Sequence, residues 1–229
     1  MNVILDEIIK SSDPKYKSFQ EKLIPTICKE SVLGLRAPLA QKIAKKYAQT
    51  SDGEDFLSSL PHKYYDQNIV HAFLLGLLKR PRAEIRQLII DFLPFVDNWA
   101  VCDGLVSHLK LFFKDKDGEF PFVLSCLKSN HTYTVRFSLV CLLSYYITDE
   151  YIDILIDIVT TIKSDEYYIN MALAWLVSFM LIKKYEKTLP LIETAVLDTW
   201  VNNKSIQKAC ESHQISREQK TYLKRFKRK

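Results

Sequence analysis

A chain of 229 residues that is 48% hydrophobic has the apolar mass for a substantial core, which excludes a disordered protein. Five glycines and eight prolines are too few turn formers for an all-β chain of this length, and abundant Leu, Ile, Ala, Lys and Glu favour helix. The net charge of +5 is unevenly held: the tail REQKTYLKRFKRK at 217–229 carries +6, which leaves −1 on everything before it.

In chain order, MNVILDEIIKSSD comes first. It holds Asp6 and Glu7 where a secretory leader would be basic and then apolar, so no leader is read there and a cytoplasmic location is expected. Next, FQEKLIPTICKESVLGLRAP places Pro25 in a helical pattern. Proline has no N–H and clashes with the preceding turn, so a helix stop is predicted near Ile24, with PTICKES as loop. Six apolar segments then recur at helical period, each after a polar or Pro-containing turn. They are RAPLAQKIAKKYAQ from 36, QNIVHAFLLGLLKR from 67, NWAVCDGLVSHLK from 98, YTVRFSLVCLLSYYI from 133, YYINMALAWLVSFMLI from 167 and NKSIQKACESH from 203. Their starts lie 31, 31, 35, 34 and 36 residues apart. Shorter helical stretches fill the gaps: EDFLSSLPHKYY, PRAEIRQLIIDFLPF, GEFPFVLSCLKS, DEYIDILIDIVTTIKS and KYEKTLPLIETAVLD. The longest apolar run, MALAWLVSFMLI at 171–182, is 12 residues long. It is too short to span a bilayer and reads as a buried helix, so no membrane partner is expected.

Helix pairs recurring at this period predict an all-α fold, an α-solenoid of about six HEAT-like pairs of the armadillo/HEAT type. One domain over residues 1–229 is expected, monomeric, with the basic tail at 217–229. An ordinary helical bundle is the competing arrangement. The tail suits nucleic acid or another anionic partner, and equally a solvated helix end favoured by the helix dipole.

The usual enzyme signatures are missing: no P-loop, GxGxxG, GxSxG or HExxH is present. Cys28, Cys102, Cys126, Cys141 and Cys210 are scattered without a CxxC and read as reduced packing residues. His62, His71, His108, His131 and His213 are isolated, without ligand spacing, so no metal is expected. What remains is aromatic and ionic. Trp99 and Asp103 stand four apart, on one face of a helix and one turn from each other. Arg136 interrupts an apolar run, and a buried Arg needs a carboxylate or phosphate partner. Tyr168, Met171, Ala172 and Trp175 share one helix face. On spacing alone Trp175 reads as core, and Asp103 with Arg136 reads as either a structural ion pair or part of a site. In a solenoid the second helices of successive pairs line one surface, which would gather Trp99, Asp103, Arg136, Tyr168 and Trp175.

The order and spacing of GLRAP (34–38), DNWAVCD (97–103), TVRFSLV (134–140), YYINMALAW (167–175) and NKSIQKACES (203–212) resemble the AlkD family of DNA alkylation repair proteins. These are HEAT-like-repeat DNA glycosylases, and the resemblance spans about residues 14–228. It implies excision of cationic N3- and N7-alkylpurines from duplex DNA, with no metal or organic cofactor and without a base-flipping pocket. It also implies catalytic roles for Asp103, Trp99 and Trp175, with Arg136 holding backbone phosphate. Tyr168, Arg36, Lys45, Lys79, Lys204 and Lys208 are the further residues expected to contact DNA.

The chain departs from the family pattern in three ways. Pro25 falls where active members carry a helical aromatic that presses on the DNA, so the chain resembles the subgroup with a shortened N-terminal DNA-contacting helix. Ala37 replaces the expected hydroxyl cap before Pro38, a loss worth about 1 kcal/mol. The near-neutral body lacks the excess positive charge usual on a duplex-binding surface. The alternative function is a catalytically weak or inactive HEAT-repeat scaffold that binds nucleic acid or protein.

Overall fold

The structure, a computed structural model, describes residues 3–229. Among these residues every regular element is a helix. The chain forms two compact units, Met1–Gly118 and Glu119–Lys229.

The first unit holds α1 (Val3–Ser11), α2 (Pro14–Leu23), α3 (Ala37–Tyr47), α4 (Ser51–Ser58), α5 (Tyr65–Leu75), α6 (Arg82–Phe92) and α7 (Trp99–His108). Within it α3 packs on α5 and α5 on α7, while α1 and α4 lie against this row. Each helix thus stacks on the one two places along, as in an α-solenoid. A helix in the middle of such a row is covered all round, and every residue of α5 is buried.

Local chemistry sets the helix ends. Asp13 caps α2 by accepting from the Lys15 N–H at 2.9 Å, and Pro14 takes the first helical position. The helix stops at Leu23, two residues before Pro25, and a loop with a short 3-10 turn at Lys29–Ser31 follows. Gly34 then adopts φ +97°, and a Cβ there would meet the Asp13 carbonyl at 2.5 Å. Asp66, buried on α5, clamps this bend: its carboxylate accepts from the N–H groups of Leu33 at 2.6 Å, Gly34 at 3.2 Å and Leu35 at 2.7 Å. Burial pushes the Asp66 carboxyl above its ordinary range, and the three backbone donors pull the other way. No side chain caps α3 at Arg36, in keeping with Ala37, and Pro38 sits in its first turn. Thr50 caps α4 through the Gly53 N–H, and the helix ends at Ser58, three residues before Pro61.

The division between units falls within α8 (Lys116–Cys126). The second unit continues with α9 (Thr132–Tyr145), α10 (Ile152–Thr161), α11 (Tyr167–Lys183), α12 (Tyr185–Glu193), α13 (Thr199–Glu211) and α14 (Arg217–Lys224). The same stacking recurs, α9 on α11 and α11 on α13, with α10 and α12 packed alongside. Among the described residues no helix is long and apolar enough to cross a membrane.

The basic tail is part of the fold. Ser216 and Gln219 form a reciprocal capping box at the start of α14, and Leu223 is fully buried. Asn202 donates to the Phe226 carbonyl at 3.0 Å. Asn203 exchanges two bonds with the Arg228 backbone, at 2.6 and 2.8 Å. The Arg228 guanidinium donates to the carbonyls of Ala195, at 3.2 Å, and Leu197, at 2.7 Å.

Candidate functional site

In the first unit the site residues depend on how α7 begins. Asn98, fully buried, accepts from the Val101 N–H at 3.0 Å and so caps the helix. That fixes Trp99 as the first helical residue and sets Asp103 one turn further on, both half-buried. The Trp99 indole Nε1–H donates to the Leu23 carbonyl at 3.0 Å. This carbonyl belongs to the last residue of α2, where the helix leaves carbonyls without internal partners. Trp99 therefore spends its N–H on the fold and keeps its ring faces for contact.

Asp103 is followed by Gly104, where a Cβ would press on the Phe73 ring at 3.3 Å. His108, a turn later, stacks on Phe73 with ring centres 3.8 Å apart, bonds through Nδ1 to the Gly104 carbonyl at 2.8 Å, and meets Gln41 at 3.0 Å. Burial lowers its pKa, so it stays a neutral packing group.

The expected DNA-contacting residues of this unit sit at helix edges. Lys45, in the last turn of α3, and Lys79, in the turn before α6, are exposed. Arg36 is exposed but engaged: it donates to Asp13 Oδ2 at 2.8 Å, and its guanidinium lies 4.6 Å from the Tyr16 ring centre. Arg36 draws the Asp13 carboxyl below its usual value.

The second unit holds Arg136, Tyr168, Trp175, Lys204 and Lys208. Arg136 on α9 is buried, and its Nη1 donates to the Tyr168 carbonyl at 3.0 Å. Two predicted residues are thus brought into direct contact. The contact begins a file of rings: Tyr133 to Tyr168 at 5.5 Å, Tyr168 to Tyr167 at 5.1 Å, Tyr167 to Trp200 at 5.7 Å. Its outer end is open to solvent, with Tyr167 55% and Trp200 37% exposed. Lys204 lies 5.6 Å from the Trp200 ring centre, and Lys208 follows one turn later on α13. Trp175, two turns beyond Tyr168 on α11, is half-buried and packs edge-on to Phe179 at 6.1 Å.

Tyr167 and Trp200 are surface aromatics beside a cation, a combination that offers π faces to bases and charge to phosphates. Their sequence signal was a Trp and a Lys four apart, one helical turn, in TWVNNKS. Likewise, histidines that look isolated in sequence are paired in space: His62 Nε2 and His71 Nδ1 lie 2.9 Å apart, stacked between Phe56 and Phe92. Among the described residues no group of three or more potential ligands gathers around a metal position.

A family described as DNA alkylation repair enzyme has a sequence model that matches residues 4–212. No curated protein and no solved structure matches the chain.

Proposed function

The chain belongs to the DNA alkylation repair enzyme family, and on that premise we propose that it excises cationic N3- and N7-alkylpurines from duplex DNA as a glycosylase. The observation that carries this reading is the start of α7, which holds a half-buried carboxylate, Asp103, one turn from the indole of Trp99. An alkylated purine is already cationic and leaves readily. Its departure takes the electron pair of the C1′–N bond and leaves an oxocarbenium on the deoxyribose. Asp103 stabilises that charge and orients the water that adds to C1′, and the proton of that water passes to solvent. The ring faces of Trp99 and Trp175 attract the cationic nucleotide, and Arg136 holds backbone phosphate. The lesion brings its own leaving-group activation, so this scheme assigns no step to a metal or cofactor.

The stop of α2 at Leu23 supports membership of the subgroup with a shortened DNA-contacting helix. A second reading, a scaffold that binds nucleic acid without cutting it, is favoured by one observation: the exposed pair Tyr167 and Trp200 beside Lys204 offers grip without chemistry.

The deciding measurement is release of 7-methylguanine from methylated duplex DNA at low salt, wild type beside Asp103→Asn. The expected result is release by wild type that falls about 100-fold in the variant, with duplex binding kept. Binding without release by the wild type selects the scaffold. Neither release nor binding removes both readings.

A further inference from the structure

The first unit contains a partly open cavity of about 200 Å³ between α2, α5 and α7. Its walls are largely aromatic and aliphatic, with Tyr16, Tyr65, Phe73 and Trp99 supplying rings and Leu23 and Ile69 closing the sides. Gln20 breaks this apolar lining. It is only 7% exposed, and its Nε2 reaches the Leu35 carbonyl at 3.4 Å. That contact fixes which end of the amide is the donor. Oε1 is then a buried acceptor with no partner. Buried polar atoms are nearly always satisfied, so an orphan lining a cavity marks a place where a donor belongs.

We propose that this cavity binds a flat bicyclic heteroaromatic of the indole class, whose ring N–H donates to Gln20 Oε1. Size permits it, because a dry apolar cavity of about 150 Å³ already admits benzene. The walls select for it. The Trp99 N–H is committed to the Leu23 carbonyl, so Trp99 offers a π face and no donor. A plain hydrocarbon fills the volume and leaves Oε1 unpaired. A purine brings several ring acceptors into walls that are nearly all apolar and leaves those unpaired instead. One N–H on an otherwise apolar bicycle matches what the cavity presents. Such binding is separate from base excision and survives the failure of the glycosylase reading.

Calorimetric titration of the full chain tests this with four probes: indole, indene (the same shape without the N–H), adenine and deoxyadenosine. Indole is expected to bind about tenfold tighter than indene, consistent with one net hydrogen bond. Both purine probes, free base and nucleoside, are expected to bind more weakly than indole. Gln20→Met keeps the length and removes the acceptor, so it is expected to erase the gap between indole and indene. Ala100→Phe, which narrows the cavity from the α7 side, is expected to lose both ligands while a circular-dichroism melt shows the fold intact. Equal binding of indole and indene by wild type overturns the role of Gln20, as does a gap that persists in Gln20→Met. Tighter binding of adenine or deoxyadenosine than indole overturns the ligand class and identifies the free base or the nucleoside as occupant. No binding of any probe overturns the proposal outright.

Discussion

The two units use the same stacked helices and leave different kinds of residue at their surfaces. In the first, nearly every residue of functional interest is also a fastener. Trp99 is tied to the end of α2, Arg36 to Asp13, His108 to Phe73 and Gly104, and Asp66 to three consecutive backbone N–H groups. In the second, Arg136 anchors the Tyr168 carbonyl, and the file of rings beyond it runs outward to the exposed Tyr167 and Trp200. Chemistry in the first unit is built on groups the fold itself requires, whereas the second unit offers surface that its fold does not need. Substitutions should therefore damage stability in the first unit and binding in the second.

The largest effect is expected at Asp66. Asp66→Leu leaves three N–H groups of the loop unpaired in a buried place, at roughly 1–3 kcal/mol each before relaxation. A loss of about 4 kcal/mol is expected, read by urea denaturation. A loss below 1 kcal/mol would show that the loop is held by something else.

The next effect is a pH dependence. Burial lowers the His62 pKa from 6.5 to about 4, and drives that of His71 well below its ordinary value. In this range the unfolded chain binds protons that the folded chain refuses, so stability rises with pH. The contribution is fully present above pH 6.5 and is lost as pH falls through about 4. For His62 this amounts to about 3 kcal/mol across the window. His62→Phe, beside Phe56, is expected to flatten the denaturation midpoint against pH between those limits. Comparing the variant with wild type at each pH cancels the other titrating groups, and an unchanged slope would place the titration elsewhere.

The smallest effect belongs to the second unit. Trp200→Ala is expected to weaken DNA binding about tenfold at low salt, the scale of one lost stacking contact, with the melting temperature moved little. A fold destabilised as much as by Asp66→Leu would erase the contrast between the units.

Much of the fold was legible because helical period is a local signal. The expected segment starts at 36, 67, 98, 133 and 167 lie within two residues of Ala37, Tyr65, Trp99, Thr132 and Tyr167. The sixth starts at Thr199 instead of 203, because Asp198 accepts from the Trp200 and Val201 N–H groups and so caps α13 a turn earlier. The Pro25 stop was legible for the same local reason: a missing N–H acts within one turn. The Asp66 clamp, the His62 and His71 pair, the Trp99 bond to Leu23 and the ring contact of Tyr167 with Trp200 join residues far apart in the chain or on separate elements. Period and propensity carry no information about such pairings. Trp99 and Asp103 were found because both lie on one helix, and the ties of Trp99 were not.

The placement of the three tryptophans, Trp99, Trp175 and Trp200, has an optical consequence. Trp99 is half-buried with its N–H fixed to a carbonyl, and Trp200 stands in solvent beside a lysine. Their fluorescence should separate, Trp99 emitting at shorter wavelength and Trp200 at longer and more readily quenched by iodide. Single-tryptophan versions retaining only Trp99 or only Trp200 would give each unit its own colour. Unfolding of one unit and ligand contact at the other could then be followed without adding a dye.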